Sequence, residues 1–185
     1  MSAVHPAQPQ IALTLLVLKR RHQQARALAD LYGDEASESA VQEIEVSATE
    51  TLRLIVAVHG WPGHSLVGEA GANAAWWVAH HAPDHAFQQH ALVLLEAAVA
   101  AGEATRRQLA FLTDRCRVMA GRPQLYGTQF RYHLADLHPY PVEDPDRLDG
   151  RRAEVGLEPF GAFDKLVRVF YPPFTSPSPP DPDAG

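Results

Sequence analysis

Apolar residues return at steps of three and four along most of the first 120 positions of this chain, a period that suits helices with one buried face. Leu15, Leu18, Ala25, Leu28 and Leu31 set the stripe of a first helix from Ile11 to about Leu31, and Gly33 ends it. Val41, Ile44, Leu52, Ile55 and Val56 mark a second helix from about Ser39 to Val58, although Val46 to Thr51 forms helix poorly. His59-Gly60-Trp61-Pro62-Gly63 then breaks the pattern, because proline has no N–H to give and the glycines free the backbone. Ser65 is placed to cap a third helix that runs through Trp76 and Trp77 to about Ala82, where Pro83-Asp84 interrupts. A fourth spans Phe87 to Ala101 and stops at Gly102. Thr105 caps a fifth, with Leu109, Leu112, Cys116 and Met119 inward and Gly121 at its end.

After Pro123 the period changes. Tyr126, Thr128, Phe130 and Tyr132 alternate with Leu125 and Gln129, and Tyr140 to Val142 offers a returning strand, which together predict a β-hairpin. Asp144-Pro145 has the form of a cap followed by proline at the first helical position, opening a sixth helix that Gly156 closes. Phe160 to Phe170 fits a last short helix. Pro172 to Gly185 is Pro, Ser and Asp with almost nothing apolar to bury. The predicted architecture is mainly α: a single-domain helical bundle of five to six helices with one β-hairpin. Residues 1–9 are expected to be a flexible amino terminus, 10–170 the domain and 171–185 a disordered Pro-rich tail. A domain of that length buries roughly 70% of its unfolded surface, so it needs no disulfide or metal staple.

The charge balance excludes one broad class of partner. A net charge of -6 and a pI near 5.9 oppose phosphate neutralisation, so no nucleic-acid partner is expected. The apolar run Ile11 to Leu18 is too short to cross a bilayer. Its charges, Lys19-Arg20-Arg21, follow the run instead of preceding it, which is not the order of an export signal. With a single cysteine, Cys116, on an apparently helical apolar face, the expectation is a cytoplasmic protein with no membrane partner.

Chemistry concentrates in a few places. Gln124-Leu125-Tyr126-Gly127-Thr128-Gln129-Phe130 crowds amides, a phenol and a hydroxyl around a glycine. Burying such groups without partners costs roughly 1–3 kcal/mol each, so the segment either completes an internal network or faces a ligand. Ten histidines invite a metal reading, but His80, His81, His85 and His90 do not converge, because Pro83 divides the helix and the last two lie five apart. No metal and no cofactor are expected. His81, at a helix end, either caps that end in the favourable field of the macrodipole or serves as a general acid/base. Trp61 enters a turn before a helix and serves as a core wedge or beside an anion at the helix N–H groups. Asp114-Arg115 and Arg151-Arg152 either pair across helices or supply a guanidinium that grips an anionic group. Ser65 has no nucleophile elbow around it, and Glu143-Asp144 reads as turn and cap.

The blocks His59-Gly60-Trp61-Pro62-Gly63-His64-Ser65-Leu66-Val67-Gly68, Leu112-Thr113-Asp114-Arg115, Gln124 to Gln129, Glu143-Asp144-Pro145 and Arg151 to Leu157, in that order, resemble the bacterial domain-of-unknown-function family 6624 over about residues 10 to 163. The chain also resembles the family where a histidine, His81, ends the third helix before Phe87-Gln88. It departs at His22, where an acidic residue is expected before Gln23, and at His80, where glutamine is usual. The resemblance implies a soluble bacterial domain and supplies no activity. From the residues themselves, the expected function is a small cofactor-independent enzyme acting on a polar or anionic small metabolite by histidine acid/base chemistry. His81 would be catalytic, with Arg115, Asp114, Gln124, Tyr126, Thr128, Gln129 and Trp61 binding the substrate. The alternative is a non-catalytic protein-interaction or small-ligand-binding module.

Overall fold

The computed structural model describes residues 6–133 and 136–171. Five helices come first: α1 (Pro9–Tyr32), α2 (Glu35–His59), α3 (His64–His80), α4 (His85–Ala100) and α5 (Arg106–Met119). A hairpin of β1 (Phe130–His133) and β2 (Asp136–Pro139) follows, then a 3-10 turn (Pro145–Arg147), α6 (Leu148–Glu154) and α7 (Phe160–Phe170). Seven α-helices are thus present among the described residues, the last being the short segment that ends the domain. Of the termini expected at 1–9 and 171–185, residues 1–5 and 172–185 lie outside the described residues, and α1 already begins at Pro9.

Short polar side chains start three of the helices. Asp34 accepts from Ser37 N at 2.8 Å, and Asp84 from Phe87 N at 3.1 Å. Thr105 and Gln108 form a reciprocal capping box. Asp34 also moves the start of α2 to Glu35, ahead of the predicted Ser39, and Val46 to Thr51 stays helical because Ala48, Thr49 and Leu52 are buried there. Packing overrides weak propensity in this segment. The third helix is not capped by Ser65, as its sequence suggests. Gly63 holds the cap position, and Ser65 N instead donates to Glu103 Oε2 at 2.7 Å. A side chain at Gly63 would put its Cβ 2.6 Å from that of Glu103, so the close approach requires glycine.

The contacts between helices fix their directions. Lys19 of α1 meets Asn73 of α3 and His22 meets Trp77, while Trp76 of α3 meets Gln108 of α5 and both Trp76 and His80 meet Phe111. Numbers rise together on all three elements, so α1, α3 and α5 run parallel, with α2 and α4 returning between them. Alanines 72, 74, 75, 79 and 82 let α3 sit close in the middle, against Leu15, Leu52, Phe87, Leu95 and Leu112. Cys116 joins this core, and burial pushes its thiol up to about 11. No helix among the described residues is long and apolar enough to cross a membrane.

The hairpin differs from its prediction. Its register pairs Phe130 with Pro139 and His133 with Asp136, four residues beyond the expected start at Tyr126. Residues 124–129 form an irregular loop instead. Gly127 has φ +66° there, and an added Cβ would stand 2.9 Å from the Phe160 ring, so both backbone and neighbour demand glycine. Asp144 does not cap α6 with its side chain; it takes φ 45° and leads into the 3-10 turn.

Candidate functional site

The loop after α5 is organised by one carboxylate. Asp114, fully buried, accepts at Oδ1 from Leu125 N (2.7 Å) and Tyr126 N (3.1 Å). Its Oδ2 accepts from Tyr126 N (3.1 Å), Thr128 N (3.0 Å) and Thr128 Oγ1 (3.0 Å). Burial raises the Asp114 carboxyl above its ordinary value, and the amide donors pull against it. On the other edge of the loop, Arg151 Nε donates to Leu125 O at 2.8 Å and Arg152 donates to Tyr126 O. Gln124, also fully buried, accepts from Gln129 N at 2.8 Å and donates to Tyr140 O at 2.8 Å.

The expected pairing of Asp114 with an arginine is therefore not made: acid and guanidinium grip opposite edges of the same main chain. Asp114, Gln124 and Thr128, expected to contact a substrate, use their side chains on the protein itself. Tyr126 is half-buried, and burial together with the Asp114 charge raises its phenol. Trp61 packs on the main core as a wedge, with a buried Nε1 that has no partner among the described residues.

Gln129 leads from this loop to a second group of residues. Its Nε2 donates to Thr128 Oγ1 at 3.0 Å and lies 3.3 Å from His80 Nε2. An amide N–H only donates, so His80 accepts at Nε2 and carries its proton on Nδ1, which is buried without a partner among the described residues. Burial, with His81 and Arg115 nearby, holds His80 well below the ordinary histidine value.

His81 lies beside it at the carboxyl end of α3, with ring centroids 4.9 Å apart. Its ring stacks on Trp77 at 4.3 Å and stands 4.6 Å from the ring of His22. Nδ1 donates to Trp77 O at 2.9 Å, which leaves Nε2 with its lone pair and no hydrogen bond to protein among the described residues. Burial lowers His81 to about 4, against the bond to Trp77 O. The ring is neutral at pH 7.

His22 on α1 completes the group. Trp77 Nε1, which can only donate, lies 3.0 Å from His22 Nδ1, so the His22 proton sits on Nε2 and goes to Glu45 Oε1 at 2.9 Å. Burial pushes Glu45 up, and the His22 bond with the positive field of Arg26 outweighs it, holding the carboxyl below its usual range. Arg115, half-buried on α5, has no ion-pair partner among the described residues, and its Nε is buried unbonded.

Four helices and one loop thus bring together an imidazole–carboxylate pair, two further neutral imidazoles and an unpaired guanidinium. Of the residues named from the sequence, His81 and Arg115 lie close enough for the guanidinium charge to act on the imidazole, and Gln129 touches the group through His80. His22, Glu45, Trp77 and His80 belong to it and were not among the predicted site residues. His22 and His80 carried a signal as the two departures from the family pattern, while Glu45 is one acid among many on a helix. Among the described residues, no three or more His, Cys, Asp or Glu side chains are arranged to share a metal ion.

No curated protein and no solved structure matches the chain. A family model, by contrast, covers residues 8–172, which takes in every element from α1 to α7. The chain belongs to that family, DUF6624, a family of unknown function.

Proposed function

We propose that the histidine cluster at the carboxyl end of α3 is the catalytic centre of a small enzyme that moves a proton on an anionic small metabolite without a cofactor. The observation that carries this reading is the nearness of two groups that bond no protein partner among the described residues: the Nε2 lone pair of His81 and the guanidinium of Arg115, whose Nε is buried. A buried arginine N–H is ordinarily bonded. Arg115 would hold the anionic group. A negative charge bound there also favours the imidazolium, so the substrate itself would lift His81 from about 4 toward neutrality and ready it to take a proton. The ring of His22, held by Glu45, lies tilted against His81 at 4.6 Å and supports its orientation.

The test is to incubate the purified protein with fractionated metabolite extracts and follow species lost and gained by mass spectrometry. The His81→Gln variant should lose conversion by about 100-fold or more, the usual contribution of a positioned acid or base. Arg115→Gln should raise KM for the anionic species more than it lowers kcat. Unchanged conversion in both variants would overturn the proposal. Binding of a species without conversion by the wild type would favour the non-catalytic ligand-binding reading.

A further inference from the structure

A cavity of about 740 Å³ opens between α1, α3 and α5, and none of the residues expected from the sequence to bind substrate lines it. Its volume falls in the range of small-molecule sites. Trp76 and Phe111 meet edge to face at 6.0 Å and form an apolar corner, to which Leu16 adds an aliphatic wall. Lys19 reaches into the lining from α1. Its Nζ donates to the neutral amide oxygen of Asn73 at 2.6 Å and has no carboxylate partner among the described residues. Lys19 also lies over the Trp77 ring at 5.3 Å, an aromatic contact that leaves its charge uncompensated. Of the other charges in the lining, Arg107 is paired with Glu158 at 2.9 Å and covers the Phe111 ring, and Glu69 is the one carboxylate among the described residues there, with the imidazole of His64 also in the wall.

The register of the helices places this cavity with respect to the histidines. Lys19, Asn73, Trp76 and Phe111 precede His22, Trp77, His80 and Arg115 by three or four residues, each on the same helix. One turn of helix separates the two sets, about 5 Å along parallel axes. The cavity thus lies about one turn from the cluster along the same three helices.

We infer that this cavity is a binding site for a planar small molecule bearing an oxyanion, with the ring in the Trp76–Phe111 corner and the oxyanion on Lys19 and the Asn73 amide. A flat π-face suits the aromatic corner. A half-buried ammonium without a counter-charge selects a negative group. Binding here needs no turnover, so the test can fail or succeed independently of the acid/base reading.

Four probes separate the requirements: benzoate, benzamide as its neutral counterpart, cyclohexanecarboxylate as a non-planar anion, and acetate as the anion alone. Binding is read by titration calorimetry and by the intrinsic fluorescence of the tryptophans. Benzoate is expected to bind most tightly, and Lys19→Met to weaken it about tenfold or more, while Lys165→Met, which changes net charge equally on the exposed face of α7, leaves it unchanged. His81→Gln should not alter benzoate affinity. Circular dichroism confirms that each variant keeps its helices. The inference is overturned if benzamide binds as well as benzoate, if cyclohexanecarboxylate or acetate binds as well, if Lys19→Met has no effect, or if no probe binds.

Discussion

Replacing Asp114 by asparagine preserves the shape of the side chain but turns one acceptor into a donor and removes the charge. Three main-chain N–H groups and one hydroxyl converge on that carboxylate, and the new amide would face at least one of them with another hydrogen. Leaving a buried donor unpaired costs about 1–3 kcal/mol, so Asp114→Asn should lower unfolding stability by roughly 3 kcal/mol. Urea denaturation measures this, and a loss below about 1 kcal/mol would show that the carboxylate is not what holds the loop. Its neighbour Arg115 has a different fate. Successive helical residues point about 100° apart, so Asp114 turns to the loop while Arg115 turns toward the end of α3. The dipeptide looks like a unit in the sequence, and this divergence is not legible without knowing what packs on each side of α5.

At the scale of elements, the Thr105 cap was legible because it is a local event, marking the start of α5 by the bond its side chain makes within one turn. Asp84 caps α4 in the same way, where the sequence reads only an interruption and a start at Phe87. Thr105→Ala would break the capping box and free Gln108, whose main-chain oxygen also receives Trp76 Nε1 at 2.9 Å. A loss of about 1 kcal/mol is expected, visible as a lower urea midpoint with unchanged slope, and an unchanged midpoint would contradict the role given to the cap. The hairpin was misplaced for an instructive reason. Alternating polar and apolar residues from Tyr126 to Tyr132 imitate a half-buried strand, but Thr128 and Gln129 turn inward to bond Asp114 and His80, a partnership across 14 and 49 residues that no local pattern encodes. Ser65 was credited with a cap for a similar reason: nothing near it in sequence announces Glu103, which takes its N–H.

For the whole molecule, the buried histidines set a dependence on acid. The ordinary value is 6.5, and His81 is held near 4 by burial, so between these limits the unfolded chain takes up a proton that the folded one refuses. Stability is therefore complete above about pH 6.5 and declines as pH falls toward 4, by roughly 3 kcal/mol for this ring alone. His80, shifted the same way by burial, adds to the decline. Urea midpoints measured from pH 7 to 4.5 should fall in the wild type and fall less steeply in His81→Gln; parallel profiles would remove His81 as a cause. The parallel run of α1, α3 and α5, and with it the convergence of His22, Trp77, His80 and Arg115, could not be read from any one helix, because it depends on which faces meet after folding. The bend from Gln124 to Gln129 has no repeating backbone of its own, yet its amides end on one acid and its carbonyls on two guanidiniums. It serves as a rivet joining α5 to α6, and the His80 imidazole tethered to it through Gln129 inherits its stiffness, held in place by a segment whose outline alone would suggest slack.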